Sequence, residues 1–233
     1  MPFTYYYKKD EPIEITDNTK KYPNTSFLDN GQLWEHQSII IFFDLISKDK
    51  LVNIVDIGAN VGLYSLYAKY LPNAHFYSFE PFDNNYNLLN ENILLNNITN
   101  ITTYKVALGD KQSKSILNTC LSQNGLHTMG NNPLRFNDIK KVEIDVNTLD
   151  NIFFNNNIKV DYIKIDTEGY EYFILKGGEQ TIKTYKPIIQ LEYNATNMKQ
   201  CNITPKQLMN YINNELNYKI HNLTDEELII IPN

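Results

Sequence analysis

Five segments of this chain run apolar and then stop at a residue placed to meet a ligand: Asp56, Glu80, Val106, Asp166 and Glu192. Four of the five are carboxylates. Uncompensated charge at a buried segment end is costly, so the repetition argues for one shared polar site. Asp166 and Glu168 lie two residues apart, close enough to converge on one point at a strand end. Neighbouring carboxylates either split their pKa values or share a cation. That chemistry suits removal of a proton from a hydroxyl. Asp166 is a candidate general base or metal ligand, with Glu168 as its partner and Glu192 as a third carboxylate. A divalent ion such as Mg²⁺ would sit on Asp166, Glu168 and Glu192. The competing structural account makes Glu168 and Glu171 caps of a helix starting near Gly169.

A glycine loop precedes these acids in the chain: Asp56-Ile57-Gly58-Ala59-Asn60-Val61-Gly62. Gly58 and Gly62 let the backbone turn tightly and approach a ligand. The helix expected after it offers free N–H groups and positive dipole character. Glu80 follows, placed to accept hydrogen bonds from ribose hydroxyls. Val106 and Ala107, in Val106-Ala-Leu-Gly-Asp110, are placed to cover an adenine ring. A dinucleotide fingerprint needs a second glycine where Asn60 stands and a third where Leu63 stands. S-adenosylmethionine (SAM) has no pyrophosphate, and Asp56 with the Gly58 carbonyl suits its ammonium group. The loop therefore favours SAM over NAD.

Other candidates are weaker. Glu35, in Trp34-Glu35-His36, could close over the amino-acid end of SAM; otherwise it is a solvated helix start. His127 lies in a polar stretch at 119–140 beside Asn124, Met129 and Arg135, and is a candidate substrate contact or alternate base. The four histidines, His36, His75, His127 and His221, show no metal-ligand spacing, and His75 reads as structural. Tyr5-Tyr-Tyr7 could stack on sugar faces. It reads better as a surface arm or a dimer contact, which leaves room for a homo-oligomer.

The elements that must position these residues alternate. Helices are expected at Leu33–Ser47, Leu63–Tyr70, Asn84–Asn96, Tyr170–Thr184 and Thr204–Leu216. Strands are expected at Leu51–Asp56, His75–Phe79, Ile101–Val106, Val160–Ile165 and Pro187–Glu192, with two more at Lys114–Asn118 and Lys141–Val146. The tail, Tyr218–Ile220 and Leu228–Ile231, reads as a closing hairpin. This is an α/β pattern: a mostly parallel sheet, helices on both faces, an antiparallel C-terminal strand, and the ligand at the C-terminal strand ends. Residues 1–30 read as an N-terminal arm and 31–233 as one domain.

At 233 residues the chain suits one α/β domain. Its net charge of −6 comes without a basic patch, so no nucleic-acid partner is expected. Cys120 and Cys201 form no CxxC pair and read as reduced thiols. The N-terminus lacks a signal-peptide core. The longest apolar stretch, Ile39 to Ile46, is interrupted by Asp44 and is too short for a membrane span. The expectation is a soluble, cytoplasmic protein.

The chain resembles the FkbM family of methyltransferases. Four blocks carry the resemblance: Val55-Asp-Ile-Gly-Ala-Asn-Val-Gly-Leu-Tyr-Ser65; Phe79-Glu-Pro81 with Asn92 to Asn96 downstream; Ala107-Leu-Gly-Asp110; and Ile163-Lys-Ile-Asp-Thr-Glu-Gly-Tyr-Glu171 followed by Leu175-Lys-Gly177. Leu149-Asp150 and the segment Pro187–Glu192 add to it, and the coverage is about residues 30–195. The resemblance implies a class I, Rossmann-like methyltransferase fold and O-methylation of a hydroxyl on a sugar, nucleotide sugar or glycan-like small molecule. Family members differ in acceptor. RNA methylation, another small-molecule acceptor, a non-catalytic SAM-binding protein and an NAD-dependent oxidoreductase are the competing functions.

Overall fold

The computed structural model describes residues 3–8, 11–15, 28–29, 32–33, 36–120, 125–130 and 139–233. Two short antiparallel hairpins come first: β1 (Phe3–Lys8) with β2 (Glu11–Ile15), and β3 (Leu28–Asp29) with β4 (Gln32–Leu33). Then follow α1 (His36–Asp44), β5 (Val52–Ile57), a 3-10 turn at Ser65–Tyr70, β6 (Ala74–Phe79), α2 (Asp83–Leu95), β7 (Ile101–Tyr104), β8 (Ala107–Leu108), β9 (Ser113–Cys120) and β10 (Ile139–Asn147). The second half contains β11 (Tyr162–Ile165), α3 (Glu171–Gly177), α4 (Glu179–Tyr185), β12 (Ile188–Glu192), α5 (Ala195–Gln200), α6 (Pro205–Asn210), β13 (Tyr218–Asn222) and β14 (Glu227–Pro232).

A seven-stranded sheet orders them β13-β14-β12-β11-β5-β6-β7. Only β14 runs against its neighbours in this sheet. Strand order reverses between β5 and β11, and such a switch point opens a crevice at the strand ends. Alternation along β5 splits the core: Ile54 faces one hydrophobic cluster, Val55 and Ile57 the other. The first cluster takes Ile39, Phe42 and Phe43 from α1 and Leu89 and Ile93 from α2. The second takes Ile174 and Leu175 from α3, Ile182 from α4, Met198 from α5 and Leu208 from α6. Helices thus cover both faces, as the alternating pattern implies.

Ile13 and Ile15 of β2 are buried in the first cluster. Asn96, just past α2, pairs with the backbone of Glu14 in both directions, at 2.9 and 2.6 Å.

Three of the expected elements show most clearly where the structure departs from the sequence pattern. β7 stops at Tyr104, short of Val106, because Ala107 and Leu108 leave the main sheet and pair in parallel with Val146 and Asn147 of β10. The helix expected over Tyr170–Thr184 is interrupted at Gly178, and the Asp150 carboxylate caps the new start by accepting from the N–H groups of Gln180 and Thr181. The segment Leu63–Tyr70 holds a 3-10 turn in place of an α-helix.

Candidate active site

The glycine loop crosses from β5 toward Ser65. Gly58, Asn60 and Gly62 all have positive φ, at 79°, 51° and 102°. A Cβ on Gly58 would lie 1.8 Å from the Asp166 carbonyl oxygen, so the loop presses backbone to backbone on the strand end that carries the acids. Asn60 occupies the left-handed region, which Asn tolerates better than most residues. Asn92 of α2 holds the loop by donating from Nδ2 to the Val61 carbonyl at 2.8 Å.

Glu80 stands over this loop. Its Oε2 accepts from the Asn60 N–H and its Oε1 from the Phe82 N–H, each at 2.9 Å. Burial pushes its carboxyl up to about 7, against those two N–H groups; Asp56 adds to the rise and Lys164 opposes it. Asp56 sits one residue inside β5 and is 1% exposed. Its Oδ2 accepts from the Ser65 hydroxyl at 2.6 Å, and its Oδ1 is buried without a partner among the described residues. Burial raises its pKa, opposed by Lys164 and the Ser65 hydroxyl.

Asp56 belongs to a polar row laid across the sheet. Cross-strand register aligns Ser78, Asp56, Lys164 and Gln190 on β6, β5, β11 and β12. Lys164 is 5% exposed, and its Nζ lies 4.5 Å above the Tyr64 ring and 3.1 Å from Asp166 Oδ2. The Tyr64 hydroxyl accepts in turn from Gln190 at 2.9 Å. A lysine buried in an apolar strand needs anionic partners, and this one draws the Asp166 carboxylate to the sheet face that carries Asp56.

The three expected acids come together. One carboxylate oxygen from each of Asp166, Glu168 and Glu192 lies within 4.8 Å of the others. Glu168 reaches the point because its backbone is left-handed, with φ 54°. The next residue, Gly169, has φ 105°, and a Cβ there would meet the Asn197 carbonyl oxygen at 2.3 Å. Glu171 braces the bend: its Oε1 accepts from the Thr167 N–H, the Thr167 hydroxyl and the Gly169 N–H. Asn197 of α5 donates from Nδ2 to Glu168 Oε2 at 2.6 Å and to Glu192 Oε1 at 3.1 Å. Glu192 Oε2 is buried with no partner among the described residues. Burial raises the pKa of Glu192 well above the carboxylate range, and Asp166, Glu168 and Glu171 add to the rise.

His127 lies on the short described segment 125–130, beside the same crevice. Its ring packs edge-on against Phe82 at 4.7 Å, and the Thr128 hydroxyl donates to the Glu168 carbonyl at 2.8 Å. Val106 is half-buried beside the second core cluster, and Ala107 is buried with Phe82 in a small apolar cluster. Glu35, Trp34, Asn124 and Arg135 lie outside the described residues.

A model of the methyltransferase FkbM domain matches residues 56–220, more than half of the chain. The chain belongs to the FkbM methyltransferase family. Methyltransferase 1 of Beauveria bassiana (strain ARSEF 2860) is 25% identical over 187 residues, 72% of this chain and 75% of that protein. An FkbM methyltransferase from Methylobacillus flagellatus KT superposes with a TM-score of 0.54 at 21% identity, over 80% of this chain. This chain spans only 44% of the length of that one. A putative caffeoyl-CoA O-methyltransferase from Staphylococcus aureus superposes with a TM-score of 0.53 at 12% identity, over 91% of this chain and 87% of its own. Both superpositions place this FkbM chain in the class I methyltransferase fold, with the strand order given above. Among the described residues no helix is long and apolar enough to cross a membrane.

The sequence pattern left out several residues of the site. Lys164 was visible as a lone charge in Tyr162-Ile-Lys-Ile165. Asn92 and Asn96 stood in the second block of the resemblance. Asn197 gave no signal, because α5 itself has no apolar period long enough to read.

Proposed function

We propose that this FkbM chain methylates a hydroxyl oxygen of a sugar, nucleotide sugar or glycan-like small molecule, with SAM as methyl donor. The observation that carries the reading is the convergence of Asp166, Glu168 and Glu192 at the ends of β11 and β12, against the backbone of the glycine loop. The cradle fits the cofactor. Gly58 and Gly62 have the positive φ that a close approach requires, and Glu80 is placed to accept from ribose hydroxyls. Bound SAM supplies an electrophilic methyl group on its sulfonium.

The protein's own residues do the rest. Asp166 takes the proton of the acceptor hydroxyl, and a positioned base contributes about 10²–10⁴-fold. Lys164 fixes the Asp166 carboxylate from one side. Asn197 fixes Glu168 and Glu192 from the other. Orienting the acceptor oxygen toward the methyl donor and excluding water would contribute roughly 7–11 kcal/mol. Three carboxylate oxygens with one buried oxygen unpartnered also fit a hard divalent cation such as Mg²⁺. Held there, such an ion would acidify a bound hydroxyl.

The test is S-adenosylhomocysteine (SAH) release from SAM with a panel of nucleotide sugars and free glycans, in EDTA and in Mg²⁺. Turnover with at least one hydroxyl acceptor is expected. Turnover in EDTA leaves the proton to a side chain, for which Asp166→Asn is the control, and turnover only in Mg²⁺ puts a cation on the cluster. Methylation of RNA or of an amine, with every hydroxyl panel silent, would overturn the reading.

A further inference from the structure

His127 is half-buried, yet one of its ring nitrogens is fully enclosed. Nδ1 accepts from the Cys120 N–H at 3.3 Å. In a neutral ring this leaves the proton on Nε2. Nε2 is buried and has no partner among the described residues. A buried donor left unmade costs about 1–3 kcal/mol, so a persistent one calls for an acceptor that arrives with a ligand. The ring stays neutral at physiological pH, because burial holds its pKa down at about 4. A neutral imidazole whose Nε2 carries the proton is a donor there and cannot take a proton at that nitrogen.

Three contacts place this ring over the cofactor crevice. A Cβ on Gly125 would approach the Asn60 side-chain amide at 3.9 Å, so the segment begins above the glycine loop. The His127 ring rests on Phe82, two residues beyond the ribose-binding candidate Glu80. The Thr128 hydroxyl is tied to the Glu168 carbonyl, on the acceptor side. Phe82, Ala107, Leu117 and Met129 form one apolar cluster beside it. Beyond a ribose comes its base, a flat apolar ring whose edge carries nitrogen acceptors. Phe82 and Ala107 suit the ring's faces, and among the described residues His127 Nε2–H is a donor beside them with an unmade bond.

We propose that His127 reads the purine edge of the bound cofactor, donating from Nε2 to a ring nitrogen of adenine. This rests on the SAM reading above. It assigns the crossing segment 125–130 to cofactor discrimination and gives His127 a donor's role where the sequence suggested a substrate contact or an alternate base.

The test measures SAH binding by calorimetry for the wild-type chain, His127→Phe and His127→Asn, each against SAH and its 1-deaza, 3-deaza and 7-deaza analogues. Expected for the wild type is about tenfold weaker binding of one deaza analogue, the effect of one neutral hydrogen bond. His127→Phe should bind SAH about tenfold more weakly and lose that discrimination, while His127→Asn, which keeps a donor, should retain part of both. Equal SAH affinity in His127→Phe, or discrimination that survives in it, overturns the proposal, as does a loss confined to the acceptor KM. Should His127→Phe fail to fold, discrimination absent from the wild type overturns it alone. A wild type that binds no SAH refutes the cofactor reading itself, a different result from a wild type that binds SAH without reading the ring nitrogen.

Discussion

The Asn197 amide donates to Glu168 at 2.6 Å and to Glu192 at 3.1 Å, so one buried side chain sets the spacing of two acids on different strand ends. Asn194 supports it by capping α5, accepting from the N–H groups of Thr196 and Asn197. Removing the amide takes one donor from each of two half-buried carboxylates. Asn197→Leu, similar in size, should lower kcat at least tenfold, since lost bonds to charged acceptors are worth about 1.5–3 kcal/mol. SAM affinity should stay within about twofold, because Asn197 touches none of the cofactor residues. Steady-state kinetics beside SAH calorimetry separates the two; unchanged kcat would show that the bridge is structural only.

Gly58 and Asp166 are joined by backbone contact, and this makes the cofactor loop intolerant of any side chain. Gly58→Ala must relieve a 1.8 Å approach of the new Cβ to the Asp166 carbonyl oxygen while holding φ near 79°. Left-handed strain alone costs about 1–3 kcal/mol, and the overlap adds to it. The expected result is loss of SAH binding together with a melting temperature lowered by roughly 5 °C or more. A variant that melts and binds like the wild type would show that the loop can move away from β11.

Asp166 and Glu192 sit in different charge surroundings, and isosteric amides expose the difference. Asp166 has Lys164 at 3.1 Å, whereas Glu192 is driven toward its neutral form by burial and by three nearby acids. Asp166→Asn should reduce kcat by about 10²–10⁴-fold, the range of a lost general base. Glu192→Gln mimics the neutral form toward which burial and the neighbouring acids drive Glu192, so in EDTA it should cost less than about tenfold. Equal losses in both variants would mean that the two acids act as one unit, as shared ion ligands do.

The alternating strands and the acids at their ends were legible because strand ends are where buried apolar runs meet polar chemistry. Asp166, Glu168 and Glu192 were expected together from topology, and one carboxylate oxygen of each lies within 4.8 Å of the others. The end of β7 was not legible: Val106 continues the apolar run, and only pairing with β10 takes Ala107 away. The roles of Asn92, which only the resemblance marked, and of Asn197 were hidden for a different reason. Each acts through one amide on a partner far along the chain, with Val61 31 residues from Asn92 and Glu168 29 from Asn197. In a chain rich in asparagine, residue type gives no hint of which amides are buried. The role of Glu171 as brace of the bend follows from the left-handed backbone at Glu168 and Gly169, which no side-chain pattern announces.

The pKa of Glu80 gives the cofactor site a pH dependence with a definite sign. Its carboxyl is raised from 4.5 to about 7, first by burial and then by Asp56, while Lys164 and the N–H groups of Phe82 and Asn60 pull it down. In the free chain the folded pKa exceeds the unfolded one. The contribution of Glu80 to stability is therefore complete below about 4.5 and is lost as pH rises through about 7. Cofactor binding has the opposite sign. Ribose hydroxyls donate to the ionised carboxylate, so SAH binding must expel the proton wherever Glu80 holds one. Affinity should be flat above pH 8 and weaken toward about tenfold per unit below the Glu80 pKa. Calorimetry from pH 5.5 to 8.5 in buffers of differing ionisation enthalpy should detect about one proton released per SAH near pH 6. Glu80→Gln should bind more weakly at pH 8 and lose the slope. An unchanged slope in that variant would move the titration to another group, with buried Asp56, also raised by burial, as the next carboxylate in contact with the loop.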